Sequence, residues 1–365
     1  MPGSGQKYMV IDLGGGTADI TVHQKMIDNS LKEICRATGS DCGGTSVDSA
    51  FFQIMAKIFG TPLMNLIKQE DSSAYLDLFR EFETVKRTIT PEKSGKVNIT
   101  VPYAALDLLC KKHLREDFPS TVLASPLASN ISLKADKMRF EVNLIKTLFE
   151  STIQEIIKLV GEILERQTAR DVATFLLVGG FSECVLVQDA IQKKFKDKNI
   201  VIPDETGIAI LKGAVLFGHK PDYITSRIMG LTYGFRNCVD FIKEKHGEKR
   251  LVLYNDIEKC DSEFKTILEK DTEVPIDTII KESFQTFYPF QKAMFIEIFC
   301  TRVENPEFVD EDGMRSLGKM TIYIPEPSKE TRYVDFEYHF GNTELKLKAI
   351  DRQSKVECET SVNLL

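Results

Sequence analysis

A chain of 365 residues has room for two or three domains with separate cores, and 42% hydrophobic against 28% charged residues is the balance of an ordinary globular protein. A net charge of −7 and a pI near 5.5 argue against a general binder of nucleic acid or of anionic membranes. The eight cysteines (35, 42, 110, 184, 238, 260, 300 and 358) show no CxxC or Cys/His ligand spacing, and no segment has the length of a membrane span, so the expectation is a cytoplasmic protein with reduced thiols.

In chain order, the first feature is Asp12 to Asp19 (DLGGGTAD), set between β-prone runs at 8–11 and 20–22. This spells a hairpin whose turn lacks side chains at Gly14, Gly15 and Gly16, so that backbone N–H groups can close on a phosphate. Asp12 would then face a metal, and the Thr17 hydroxyl a terminal phosphate or its water. A plain glycine-rich turn remains the alternative. Rossmann and Walker loops do not fit, because no GK[ST] follows and the second run reads as strand.

Strands are expected at 7–12, 18–24 and 31–37. Gly43 and Gly44 lead into a helix over about 47–59, and a second helical region over about 72–90 places Glu83, Lys86 and Arg87 on one face, as a solvated ion-pair cluster would. A strand over 96–102 follows. The stretch 103–138, broken by Pro119 and Pro126, resists assignment, and a long amphipathic helix is expected from Arg139 to Arg166. A buried strand at 175–178 ends in Gly179 and Gly180, which either admit a flat ligand or make a tight strand–helix turn. Helices over 184–196 and 206–218 flank a strand end at Val201–Asp204. Strands alternating with helices suggest an α/β domain of the ribonuclease H type. Beyond Pro221 the pattern turns to β runs at 252–254, 294–300, 320–324, 334–340, 345–350 and 356–362, with helical interruptions near 257–284 and a charged loop at 243–250.

Together these motifs resemble the 70-kDa heat-shock protein family, built on the actin-like ATPase fold. Asp12 to Asp19 is similar to its second phosphate loop, and Gly43 and Gly44 with Asp48 to the glycine pair after its third strand. Glu83-x-x-Lys86-Arg87-x-x-Thr90 resembles its adenosine-holding segment, Arg139-Phe-Glu its RFE helix, Val178-Gly179-Gly180 its adenosine loop, and Pro203-Asp204-Glu205 with Lys212-Gly213-Ala214 its last strand–helix unit. Thr21 to Gln24, Ile210 to Gly218 and Leu231 to Gly234 resemble a divergent branch, the heat shock 70 kDa protein 12A and 12B type.

The resemblance implies an α/β plus β fold class: one actin-like ATPase lobe over 1–222, with an inserted α+β subdomain at about 46–138, then a β-sandwich-like, substrate-binding-type domain over 223–365. It implies ATP or ADP with Mg as cofactor. Gly14, Gly15, Gly16 and Thr17 would surround the phosphates, with Asp12 near the magnesium and the attacking water. Glu83, Lys86, Arg87 and Thr90 would surround the ribose and adenine, facing Gly180 and Phe181, and Gly44, Gly179 and Asp204 would also belong to the cofactor-binding set. Client peptides or a protein partner would use the β-domain.

Departures from the family pattern shape further expectations. No second phosphate loop or catalytic lysine of the first lobe occurs in the chain, so weak or no ATP hydrolysis is expected, with an exposed surface around Gly14 to Gly16 and the 206–218 helix. Phe181, Ser182 and Glu183 occupy the loop where the family carries a base-stacking arginine, which makes Phe181 a candidate to stack instead. The β-domain is expected to lack a helical lid. The alternative function is a non-enzymatic peptide or protein interaction module built on that domain.

Overall fold

The computed structural model describes residues 3–36, 39–254, 256–342 and 344–364, so the end of the expected strand at 37 lies outside the described residues. The chain opens with β1 (Lys7–Leu13), β2 (Ala18–Lys25) and β3 (Leu31–Arg36). Alternation drives the first two: Met9, Ile11, Leu13, Ala18, Ile20 and Val22 are all buried. It divides into two units, residues 1–23 with 37–219, and residues 24–36 with 220–365. The sequence places 24–36 in the first lobe. They group with the second unit because β3 pairs in parallel with β9 (Ile224–Ile228), Leu31 opposite Ile224 and Lys32 opposite Ser226.

In the first unit α1 (Gly44–Phe59), α2 (Thr61–Glu70) and α3 (Ser72–Lys86) follow the glycine pair. Phe51 of α1 stacks on Phe82 of α3 with ring centroids 3.9 Å apart, which ties the two helices together. Next come β4 (Lys96–Thr100), α4 (Tyr103–Leu109), a π-helical turn at Cys110–Leu114 and α5 (Phe118–Ala124), which resolve the stretch that composition leaves unassigned. β5 (Ile131–Lys134) and β6 (Lys137–Glu141) complete an antiparallel sheet of order β4-β6-β5. Arg139, Phe140 and Glu141 are therefore strand, a correction to the expected helix start. Alternation buries Met138 and Phe140, and α6 runs only over Val142–Glu165. β7 (Thr174–Val178) lies parallel to β1, with Asp12 opposite Val178, and α7 (Val185–Lys194) leads to β8 (Asn199–Val201), parallel to β7. α8 (Thr206–His219) exposes Ile210, Leu211, Val215 and Leu216.

The second unit continues from β9 with β10 (Thr232–Asp240), β11 (Leu251–Tyr254), β12 (Ile257–Leu268), β13 (Glu273–Pro275) and β14 (Thr278–Gln285). It closes with β15 (Ala293–Thr301), β16 (Met314–Tyr323), β17 (Tyr333–Phe340), β18 (Glu344–Asp351) and β19 (Glu357–Asn363). Two sheets form, of order β11-β12-β10-β15-β16 and β14-β17-β18-β19, and one core joins Tyr233, Phe235 and Ile296 to Phe336, Tyr338 and Leu347. The helical interruptions expected near 257–284 are strands. In β12 Cys260, Ser262 and Phe264 are buried while Lys259, Asp261, Glu263 and Lys265 between them are only partly buried, so the charged alternate positions hide the two-residue period. The charged segment at 243–250 holds a helical turn, Lys243–His246, whose His246 is buried.

Candidate functional site

The glycine hairpin is tied to the start of α1 through its carbonyls. The Gly14 N–H donates to the Thr17 carbonyl at 2.9 Å and closes the turn. The carbonyls of Gly16, Gly14 and Gly15 accept in turn from the amides of Gly43 (3.2 Å), Gly44 (3.1 Å) and Thr45 (2.7 Å). Contact is so close that a Cβ on Gly43 would sit 2.4 Å from the Gly15 oxygen. In a planar trans peptide the C=O of one residue and the N–H of the next point opposite ways. Three carbonyls turned toward α1 therefore turn the N–H groups of Gly15, Gly16 and Thr17 away from it, and among the described residues no backbone acceptor takes those of Gly15 and Gly16. Added Cβ atoms at Gly15 and Gly16 meet nothing within 4 Å. Gly14 differs from the expectation, since its own amide is used up inside the turn.

Asp12 and Thr17 flank this turn. Thr17 Oγ1 donates to Asp19 Oδ2 at 2.9 Å. The half-buried Asp12 carboxyl is pushed above the ordinary aspartate range, first by burial and then by the nearby Asp19 charge. Gly179 backs it. With φ of +85°, Gly179 lies where a Cβ would be 2.4 Å from both Asp12 Oδ1 and the Leu13 oxygen.

The last turn of α3 supplies the opposite charges. Lys86 is buried, and its Nζ donates to Asp48 Oδ1 (2.7 Å) and the Gly44 carbonyl (3.2 Å) and pairs with Glu83 Oε2 (2.5 Å). It is thus a satisfied interior cation and departs from the solvated face its spacing suggests. Arg87 stays exposed, with Nε on Glu83 Oε1 (3.0 Å) and Nη1 3.5 Å from Glu183 Oε2. Burial alone would raise the Glu83 pKa, but the hydrogen bonds and charges of Lys86 and Arg87 outweigh it and leave it below the usual range.

After β7 a 3-10 turn over Gly180–Glu183 forms the remaining wall. Ser182 Oγ donates to the Gly179 carbonyl (2.7 Å), Gln188 Nε2 to the Ser182 carbonyl (2.8 Å), and Thr206 Oγ1 to Glu183 Oε1 (3.2 Å). Phe181 is 7% exposed and packs on Gly44, where a Cβ would be 3.3 Å from its ring.

Between these walls lies a cleft of about 300 Å³. It brings together seven of the residues singled out from sequence: Gly15, Gly44, Glu83, Lys86, Arg87, Gly180 and Phe181. Asp12, Gly14, Gly16 and Thr17 stand at the hairpin beside Gly15 and are not in the lining, and Gly179 sits behind it. Thr90 lies past the end of α3, its carbonyl accepting from Lys93 N (3.2 Å), and Asp204 is an exposed loop residue. Thr45, Asp48, Glu183 and Cys184 line the cleft without having been chosen as site residues. Asp48 follows Gly44 by one helical turn, a signal that was available. Glu183 follows Gly180 by three residues, where only the loop length marks it.

The second unit holds its own cavity, of about 160 Å³, lined by aromatics that include Phe235, Phe284, Phe287, Tyr288 and Phe336. Arg236 and Asp261 add charge at its wall, and Tyr254 OH donates to Asp261 Oδ2 at 3.2 Å.

Comparison with known proteins extends past these motifs. A family model described as Hsp70 protein matches residues 3–287. Heat shock 70 kDa protein 12A of Mus musculus is 31% identical over 368 residues, which covers 99% of this chain and 54% of the relative. Heat shock 70 kDa protein 12B of Homo sapiens is 30% identical over 376 residues, with 99% and 54% covered. Chaperone protein DnaK 3 of Synechococcus is 27% identical over 236 residues, 62% of this chain and 32% of its own. The chain spans about half the length of the 12A and 12B relatives.

Proposed function

The chain belongs to the Hsp70 family, whose ATPase domain has the actin-like fold, and from that premise we propose that its first unit binds ATP or ADP with Mg in the cleft beside the glycine hairpin. The observation that carries this reading is the set of amides at Gly15, Gly16 and Thr17 turned away from α1, those of Gly15 and Gly16 without a backbone acceptor among the described residues, because successive N–H groups of this kind form an anion-binding nest. The phosphates would lie on these amides, and the nucleoside between the end of α3 and the Gly180 turn.

The residues fit a magnesium nucleotide better than a bare metal. Among the described residues no group of three or more His, Cys, Asp or Glu gathers to hold an ion. Asp12 is a single half-buried carboxylate, and Mg²⁺ is commonly held by one or two carboxylates with phosphate oxygens and water as the other ligands. The ion would neutralise phosphate charge when bound. Hydrolysis by these residues is expected to be weak. Phosphoryl transfer depends on cations placed at the transferring group, and both cations of the cleft, Lys86 and Arg87, are already held by carboxylates.

The aromatic cavity of the second unit favours a second reading, in which a chaperone-like or purely binding role rests on that unit, its two sheets forming a substrate-binding-type sandwich that takes an apolar side chain of a peptide. The cytoplasm is the compartment that suits the eight free thiols.

Calorimetric titration of the 365-residue chain with Mg-ADP and Mg-ATP tests the first reading, with Gly180→Val as control. A Cβ at Gly180 meets nothing within 4 Å, so the valine fills the cleft and spares the fold. Binding to the parent chain that is lost in a folded Gly180→Val protein is the expected result. No heat with either nucleotide at millimolar concentration would move the weight to the peptide reading.

A further inference from the structure

Five ionisable side chains run unbroken along the cleft. Asp48 meets Lys86 at 2.7 Å, Lys86 meets Glu83 at 2.5 Å, Glu83 meets Arg87 at 3.0 Å, and Arg87 meets Glu183 at 3.5 Å. Signs alternate and both ends are carboxylates, so acceptors exceed cations by one. The links are unequal. The first three are short and lie within α1 and the end of α3. The last joins two half-exposed side chains, 62% and 49% accessible, at a distance where a hydrogen bond is weak.

Glu183 is nonetheless held in position. Its turn is fixed by Ser182 and Gln188, and its Oε1 accepts from Thr206, whose side chain is buried. One oxygen is thus anchored while the other, Oε2, has a long contact to Arg87, and the residue lines the cleft. A fixed carboxylate with a loosely engaged oxygen is an acceptor able to take a donor from a ligand.

We propose that Glu183 is a specificity-determining residue: its Oε2 accepts a hydrogen bond from the exocyclic amine of a purine, so that the cleft selects adenine over the 6-keto purine hypoxanthine. This rests on the nucleotide reading above, which places the base between Arg87 and the Gly180 turn. Adenine offers an N–H donor at position 6. Hypoxanthine offers a carbonyl there, whose lone pairs meet the carboxylate in repulsion, and discrimination of this kind comes as much from the repulsive pairing as from the attractive one. Arg87 keeps its partner Glu83 when Glu183 turns to the ligand.

The test is calorimetric titration with Mg-ADP and Mg-IDP of the parent chain, Glu183→Gln and Glu183→Ala, each shown folded by circular dichroism. The parent chain is expected to favour ADP by about tenfold, the low end for a hydrogen bond to a charged group because this side chain is half-exposed. Glu183→Gln presents a donor as well as an acceptor, so its ADP/IDP ratio should fall toward one, mainly through tighter IDP binding. Glu183→Ala should lose the preference too, which keeps the test decisive if the glutamine variant does not fold. A ratio near one in the parent chain, or a ratio unchanged in the variants while ADP still binds, overturns the assignment. Failure of the folded parent chain to bind either nucleotide overturns the nucleotide reading itself and this inference with it.

Discussion

Replacing Lys86 by methionine removes the one buried cation of the cleft while keeping its aliphatic length. Its ammonium is held by Asp48 at 2.7 Å, Glu83 at 2.5 Å and the Gly44 carbonyl at 3.2 Å. Glu83 keeps Arg87 after the substitution, whereas Asp48 and the Gly44 carbonyl lose their donor. Deleting one partner of a fully buried pair costs about 3–5 kcal/mol. Here the Asp48 side chain is 28% exposed and water can rehydrate it, so a loss of about 2 kcal/mol is expected, the range for a charged group left without its hydrogen bond. For a unit of this size that is about 4–8 °C in Tm. Urea unfolding followed by pulsed thiol labelling of Cys184, read by mass spectrometry, confines the measurement to the cleft, because Cys184 lies in its wall. Adding Asp48→Asn to Lys86→Met should recover at least half of the loss, since the amide carries no stranded charge. A Lys86→Met chain within about 0.5 kcal/mol of the parent, the ordinary range for a surface change, would refute the claim that Lys86 is a satisfied interior cation.

Gly179→Ala combines φ of +85° with a Cβ 2.4 Å from Asp12 Oδ1 and the Leu13 oxygen, and it should unfold the β1–β7 end by more than about 2 kcal/mol in chemical denaturation, whereas Gly15→Ala, whose Cβ meets nothing within 4 Å, should fold like the parent chain. Asp12→Asn should leave Tm at pH 7 equal or higher while weakening Mg-nucleotide binding. A carboxyl whose folded pKa is raised costs stability once the pH exceeds its unfolded value, and the amide removes that cost; a lowered Tm would contradict it. Glu83 has the opposite sign: its folded pKa is lowered, so its contribution is complete above its unfolded value of about 4.3 and is lost as the pH falls through the folded one. The stability gap between the parent chain and Lys86→Met should therefore narrow below about pH 4. A gap that stays constant to pH 3 would show that Glu83 takes no part in it.

Much of the fold was legible because it is written in short periods. β1, β2, α1 and the body of α6 carry apolar spacings of two or of three and four residues, and they stand where those spacings put them, within a few residues. The misreadings share a cause. In β12 the less buried positions 259, 261, 263 and 265 are charged and mask its strand period, and in β6 two buried residues also suit a helix start, which runs Arg139 to Glu141 into α6 in the sequence. The allocation of 24–36 was out of reach for a different reason, since the ladder from Leu31 to Ile224 is a long-range pairing that no local pattern records.

The candidate site divides along the same line. Its glycine hairpin is contiguous and could be read directly, although the direction of its amides follows only from the three carbonyls that α1 captures. Its charges could not be read in the same way. Glu83, Lys86 and Arg87 at helical spacing describe a surface cluster equally well, and what turns Lys86 inward is Asp48, 38 residues earlier in the chain. Arg87 and Glu183 are 96 residues apart. A charge pair across a cleft leaves no periodicity in either segment, because each partner satisfies only the spacing of its own element. The consequence reaches the chemistry. A ligand entering this cleft meets cations that are already paired, so its binding must open or share the Arg87 contacts, and among the described residues the hairpin amides of Gly15 and Gly16 are donors that no backbone acceptor takes.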